Sequence, residues 1–123
     1  KSSSLNNLLS KSDYIITSCD LNHSSLNLLN KSNLKLINKS ASIINISRGG
    51  IINEKDLYFF LKRKKIRSAA IDVFTKEPLE KNNDLIKLDN CILSSHNAFN
   101  TVEEVDKVNQ NSIKNLLKVL GTE

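Results

Sequence analysis

The stretch Ile44-Asn45-Ile46-Ser47-Arg48-Gly49-Gly50-Ile51-Ile52-Asn53-Glu54 decides how the chain is read. A β-branched apolar run from Ile43 to Ile46 gives way to an arginine and two glycines, and a helical pattern starts directly after it. In an open α/β sheet, ligands sit in the crevice outside the carboxyl ends of the strands, where such a turn would lie. Two later stretches repeat the arrangement. Ala69 to Ile71 runs into Asp72-Val73-Phe74 and on to Glu77-Pro78, and Cys91 to Leu93 runs into Ser94-Ser95-His96. Arg48, Asp72, Glu77 and His96 are therefore expected on one edge of one sheet.

Working outward, Tyr14-Ile15-Ile16-Thr17-Ser18-Cys19 reads as a buried parallel strand, preceded by the last turns of a helix at Leu5 to Leu9. Leu26, Leu28 and Leu29 suggest a short helix, and Leu34, Leu36 and Ile37 another helical turn. Leu57, Phe60 and Leu61 form the i, i+3, i+4 stripe of an amphipathic helix over 54–65, with Asn53 as its N-cap. Ile66 to Val73 and Cys91 to Leu93 give the third and fourth strands, joined by a charged loop. Val102, Val105, Val108, Ile113, Leu116, Leu117 and Leu120 mark a long closing helix. Thr101 with Glu104 matches a capping box at its start, and Gly121 is a reasonable stop. Strands alternating with helices predict an α/β fold around a parallel sheet.

Composition narrows the function. At 39% hydrophobic and 25% charged residues, the 123-residue chain has the make-up of a globular domain. No apolar run approaches the length of a membrane span, so no membrane partner is expected. The net charge of +5 raises the question of nucleic acid. The densest basic cluster, Lys62-Arg63-Lys64-Lys65 with Arg67, falls at a helix C-terminus, where cations complement the helix dipole. It has no interleaved aromatics to stack on bases, so no nucleic-acid partner is expected. Cys19 and Cys91 lack a CxxC spacing and read as reduced core thiols, in keeping with a cytoplasmic setting. No metal-ligand cluster is expected.

An arginine, a glutamate and a histidine on one edge can hold a carboxylate and move a proton, which points to an enzyme. A guanidinium presents a planar fork of donors to an oxygen pair. An imidazole exchanges a proton near neutral pH.

The three segments, in order, spacing and flanking residues, resemble the NAD-binding domain of the D-isomer-specific 2-hydroxyacid dehydrogenases, from about Leu5 to about Leu120. The resemblance implies a Rossmann-like domain and a nicotinamide cofactor, NAD with NADP also open. It implies hydride transfer to or from a small 2-keto or 2-hydroxy acid. Arg48 would bind and orient the substrate, His96 would be the acid/base, and Glu77 its carboxylate partner, favouring the imidazolium. Asp72 resembles the family's aspartate that contacts the nicotinamide carboxamide. Cys19, Ile46, Ser47, Arg48, His96, Asn97 and Ala98 would line the cofactor. Glu77 stands where related formate dehydrogenases carry glutamine, which argues against formate.

The chain departs from the family pattern at Asp20 and Lys39-Ser40, where proline-containing turns are common. It also departs at Asn97-Ala98-Phe99, where Phe99 brings an aromatic ring to the rim in the D-lactate dehydrogenase style. Its three glycines, Gly49, Gly50 and Gly121, leave no GxGxxG for a pyrophosphate. Residues 1–123 are thus expected to be the C-terminal half of a nucleotide-binding domain, with the glycine-rich turn and the substrate domain supplied upstream. Such a fragment would bind NAD(H) poorly and turn nothing over, whereas the full-length enzyme would be a homodimer. The alternative is an NAD(H)-sensing, corepressor-like interaction protein on the same fold.

Overall fold

The computed structural model describes residues 3–121. Four parallel strands, β1 (Tyr14–Thr17), β2 (Ser42–Asn45), β3 (Ser68–Ile71) and β4 (Cys91–Leu93), lie side by side in sequence order. Between and around them run α1 (Leu5–Lys11), α2 (Lys31–Leu34), α3 (Glu54–Lys62) and α4 (Val102–Leu120), with 3-10 turns at Gly49–Ile51 and Asp84–Lys87.

The register sorts side chains onto two faces, because successive residues of a strand point in opposite directions. Ile15, Ile43 and Ala69 align across β1, β2 and β3 and are buried. Leu9, Leu29, Leu34, Leu57, Leu61 and Leu85 join them in a single core. The next row, Ile16, Ile44, Ala70 and Ile92, points the other way, with Ile16 57% and Ile92 73% exposed. β1 is therefore half-buried, not the fully buried strand its apolar run suggested: Tyr14 and Ile16 stay exposed on that face.

Local chemistry sets the helix ends. The Ser4 hydroxyl accepts from the Asn7 amide, so α1 begins at Leu5 and runs through the polar residues to Lys11. The Asn53 side chain accepts from the Asp56 amide, the cap expected for α3. α3 stops at Lys62 because the chain turns through Lys64 in a left-handed conformation (φ 51°). Thr101 caps α4 by accepting from the Glu104 amide (3.2 Å), while the Glu104 carboxylate turns to Lys107, so only half of the capping box forms. Gly121 ends the helix with φ 69°. α4 has no buried residue, and Val102, Val105, Val108, Ile113 and Leu116 are exposed along it.

The helix expected at Leu26 to Leu29 does not form. Asn27 takes a left-handed φ of 51° and its amide donates to the Gly50 carbonyl (2.8 Å). Leu29 then pairs in parallel with Ile52, its amide donating to Ile51 and its carbonyl accepting from Asn53. Backbone pairing with the turn after β2 outweighs a local apolar pattern only four residues long. Nor is Cys19 a core residue: it is exposed, and Cys91 half-buried; both are free thiols, and burial pushes Cys91 up to about 11.

The turn after β2 rests directly on the exit from β3. A Cβ at Gly49 would lie 1.9 Å from the Phe74 carbonyl carbon and 2.3 Å from the Thr75 nitrogen. At Gly50 it would meet only the flexible ends of Leu21 and Leu26, at 3.1 Å or more. Gly49→Ala is accordingly expected to cost about 3 kcal/mol in urea unfolding, at the upper end for overpacking, and Gly50→Ala about 1 kcal/mol or less.

Candidate active site

Three chain segments leave the carboxyl ends of β2, β3 and β4 and meet on one edge of the sheet. The first is built around Asn45, a buried side chain at the end of β2. Its Oδ1 accepts from the Thr17 hydroxyl (2.8 Å) and the Ser47 amide (3.2 Å), and its Nδ2 donates to the Arg48 carbonyl (3.1 Å). Asn45 thus fixes the backbone from which Arg48 projects. The Arg48 side chain is exposed and its Nη1 donates to the Ser47 carbonyl (2.7 Å).

The second organiser is Asp72, 4% exposed at the exit of β3. A buried carboxylate is costly unless its oxygens are hydrogen-bonded. Here Oδ1 accepts from the Ser94 hydroxyl (2.5 Å) and the Asn97 amide (3.0 Å), and Oδ2 from the Ala98 amide (3.0 Å). Burial opposes ionisation of Asp72, but the Ser94 hydroxyl, the Ala98 and Asn97 amides and the His96 charge together lower its pKa below the ordinary 3.8. By gathering donors on both sides of His96, Asp72 bends the loop after β4 so tightly that His96 adopts a left-handed φ of 58°.

His96 Nδ1 lies 2.8 Å from Glu77 Oε2, and Glu77 Oε1 accepts from the Phe74 amide (2.9 Å). The His96 hydrogen bond, first, and the Phe74 amide hold the Glu77 carboxyl below its ordinary 4.5. Glu77 is therefore ionised at neutral pH and can only accept, so Nδ1 carries the proton and Nε2 is the nitrogen left for a ligand. The peptide between Glu77 and Pro78 is cis.

Arg48 and His96 line one cavity of about 370 Å³, with Ile46, Asp72, Ala98 and Phe99. Cys19, Ser47 and Arg48 line an adjoining cleft of about 440 Å³, with Ser18, Asp20 and Leu21. On its other side His96 borders an apolar cavity of about 530 Å³ that includes Glu77, Phe74 and Leu79. All the residues singled out in the sequence thus reach this edge, but Cys19 stands in the cleft beyond Arg48, apart from His96. Among the described residues no cluster of His, Cys, Asp and Glu could hold a metal ion, and no helix is long and apolar enough to cross a membrane.

Asn45 and Ser94 have no part in the sequence expectations, whereas Gly49, expected to let the turn pack without a Cβ clash, lies against Phe74 and Thr75. A polar residue interrupting an apolar run, as in Ile-Ile-Asn-Ile, is the signal that could have found Asn45.

Both lowered carboxylates give a pH dependence of fixed sign. Folding favours their ionised forms, so the stability they contribute is full above the ordinary values and drains away as pH falls through the lower folded ones. Unfolding followed by circular dichroism should show stability dropping below about pH 4.5, with the slope flattened in Glu77→Gln. Asp72→Asn turns an acceptor into a donor facing an amide and should cost about 2–3 kcal/mol at neutral pH. An unchanged acid limb in Glu77→Gln would contradict the assignment.

The family model described as "D-isomer specific 2-hydroxyacid dehydrogenase, NAD binding domain" matches residues 1–98. A glyoxylate reductase/hydroxypyruvate reductase of Mus musculus is 34% identical over 116 residues, covering 94% of this chain and 35% of that protein. A glyoxylate reductase of Thermofilum pendens is 36% identical over 119 residues, covering 97% and 35%. The solved structure of an acyclic imino acid reductase in complex with NADPH and D-Arg superposes with a TM-score of 0.91 at 31% identity, over 98% of this chain and 38% of that one. The chain spans about a third of the length of these curated relatives. Architecture and sequence agree, and the chain belongs to the family of the D-isomer specific 2-hydroxyacid dehydrogenase NAD-binding domains.

Proposed function

We propose that these residues form the catalytic edge of a nicotinamide-dependent D-2-hydroxyacid dehydrogenase, acting on a small 2-keto or 2-hydroxy acid. The observation that carries the reading is the placement of a guanidinium and a carboxylate-paired imidazole around one cavity. Arg48 receives the substrate carboxylate as a fork of donors and orients the carbonyl. In reduction, His96 gives the Nε2 proton to the carbonyl oxygen as that oxygen becomes a hydroxyl; in oxidation it takes the proton back. Glu77 stays ionised, fixes the tautomer through Nδ1 and balances the imidazolium charge.

The site fits a nicotinamide. A carboxylate has about four acceptor positions. Asp72 uses three, for Ser94, Asn97 and Ala98, which leaves room for a carboxamide N–H. Ile46 and the backbone at Asn97 and Ala98 would flank the ring, and Ser47 and Cys19 would line the path away from it. Bound there, the cofactor supplies or accepts the hydride. NAD and NADP both suit these residues, because the ribose-reading position lies outside this half of the domain. In this reading the chain works as part of a longer polypeptide, a cytoplasmic homodimer, whose other parts bring the glycine-rich turn and the substrate domain. The corepressor-like alternative would bind the same cofactor without turnover.

The test is NADH oxidation with glyoxylate, hydroxypyruvate and pyruvate by a polypeptide joining residues 1–123 to those parts. Turnover is expected, with His96→Asn slower by roughly 10²- to 10⁴-fold, as for loss of a general acid. Arg48→Lys should raise KM strongly, since a point charge cannot replace a bidentate fork. Cofactor binding with no turnover on any of the acids would favour the corepressor-like reading.

A further inference from the structure

The loop that carries Glu77 leaves the sheet at Asp72 and does not return to regular structure until Asp84. A side chain that must meet an imidazole at 2.8 Å is poorly served by a loop free to drift. Two points of this loop are held by one carboxylate from outside it. Glu54, in the first turn of α3, accepts the Thr75 amide on Oε1 (2.5 Å) and the Asn83 side-chain amide on Oε2 (3.3 Å). Thr75 is the residue after Phe74, whose own amide donates to Glu77. The peptide joining Phe74 to Thr75 is thus gripped from two sides by the segment that follows β2, by the close approach of Gly49 and by the Glu54 carboxylate.

We propose that Glu54 is a positioning residue for the Glu77–His96 pair, holding the Phe74–Thr75 peptide so that the Phe74 amide and the His96 ring meet the two oxygens of Glu77. The proposal deepens the reading of Glu77 and His96 as an acid–base unit and rests on it. Glu54 lies six residues after Arg48 on the same segment. One rigid stretch, Arg48 to Glu54, would then set both the substrate-binding guanidinium and, through Thr75, the partner of the proton donor.

The experiment is carried out on the 123-residue chain and needs no turnover. Carbon-13 NMR follows the titration of the Glu77 carboxyl, and amide hydrogen exchange follows Phe74 and Thr75. Glu54→Asp keeps the charge at the start of α3 but withdraws the carboxylate by one methylene. It should raise the Glu77 midpoint towards the ordinary glutamate value of 4.5. It should also speed exchange at both amides about tenfold or more, in line with loss of a hydrogen bond to a charged group. Glu54→Gln, whose amide oxygen can still accept from Thr75 while its amide nitrogen faces the Asn83 donor, should move both readouts less than Glu54→Asp, which a general loss of stability would not explain. Should Glu54→Asp fail to fold, Asn83→Asp replaces it. That change keeps an acceptor for the Leu85 amide (2.9 Å) but turns the donor facing Glu54 into a repelling carboxylate, and the same two shifts are expected. Faster exchange at Thr75 alone, with Phe74 exchange and the Glu77 titration unmoved, would overturn the proposal. If His96→Asn also leaves the Glu77 titration unmoved, the acid–base pairing itself fails and the proposal falls with it.

Discussion

The buried charge of Asp72 is the constraint on which the rest of the site depends. It sits where β3 ends, 4% exposed, and a carboxylate there is stable only if donors come to it. They come from the residues after β4: one hydroxyl and two consecutive backbone amides. Satisfying Asp72 forces the loop to double back within a few residues, and His96 takes a left-handed conformation, which few residues other than glycine adopt. The ring is then aimed by the backbone. Glu77 needs only to hold it from the far side.

The other half of the edge depends on a buried amide. Asn45 works as donor and acceptor at once, tying β1 to the turn that carries Arg48. The turn can lie close against Phe74 because Gly49 has no side chain there. Arg48 and the Glu77–His96 pair are therefore set from one rigid platform of strand ends, while the side chains that face a ligand stay partly exposed.

Much of this was legible in the sequence. The four strands announced themselves as β-rich runs, and Asn53 and Thr101 as caps, because these signals are local. The meeting of Arg48, Asp72, Glu77 and His96 on one edge followed from their shared place after strands. The bond between Glu77 and His96 was available only through the family resemblance, since a loop residue has no periodicity that fixes its partner. The bridge between Leu29 and Ile52 was hidden because it forms between backbones, and no side-chain pattern records it. Cys19 looked like a core thiol because it follows an apolar run, yet it stands beyond β1, among residues of an open cleft. The part-exposed outer face of the sheet was equally out of reach: apolar residues on both sides of a strand do not say which side is covered.

The order of the strands bears on how the protein is made. Each strand pairs with the next one in the sequence, Tyr14 with Ser42, Ser42 with Ser68 and Ala69 with Cys91, so no strand must be inserted between two already joined. The closure entropy of a loop rises only slowly with its length, and these loops are of similar size. The sheet can therefore grow strand by strand as the chain leaves the ribosome, amino end first. Arg48 is in place before Asp72 and Glu77, and His96 arrives after them, with β4. The pair of Glu77 and His96 cannot form in the nascent chain until β4 has docked.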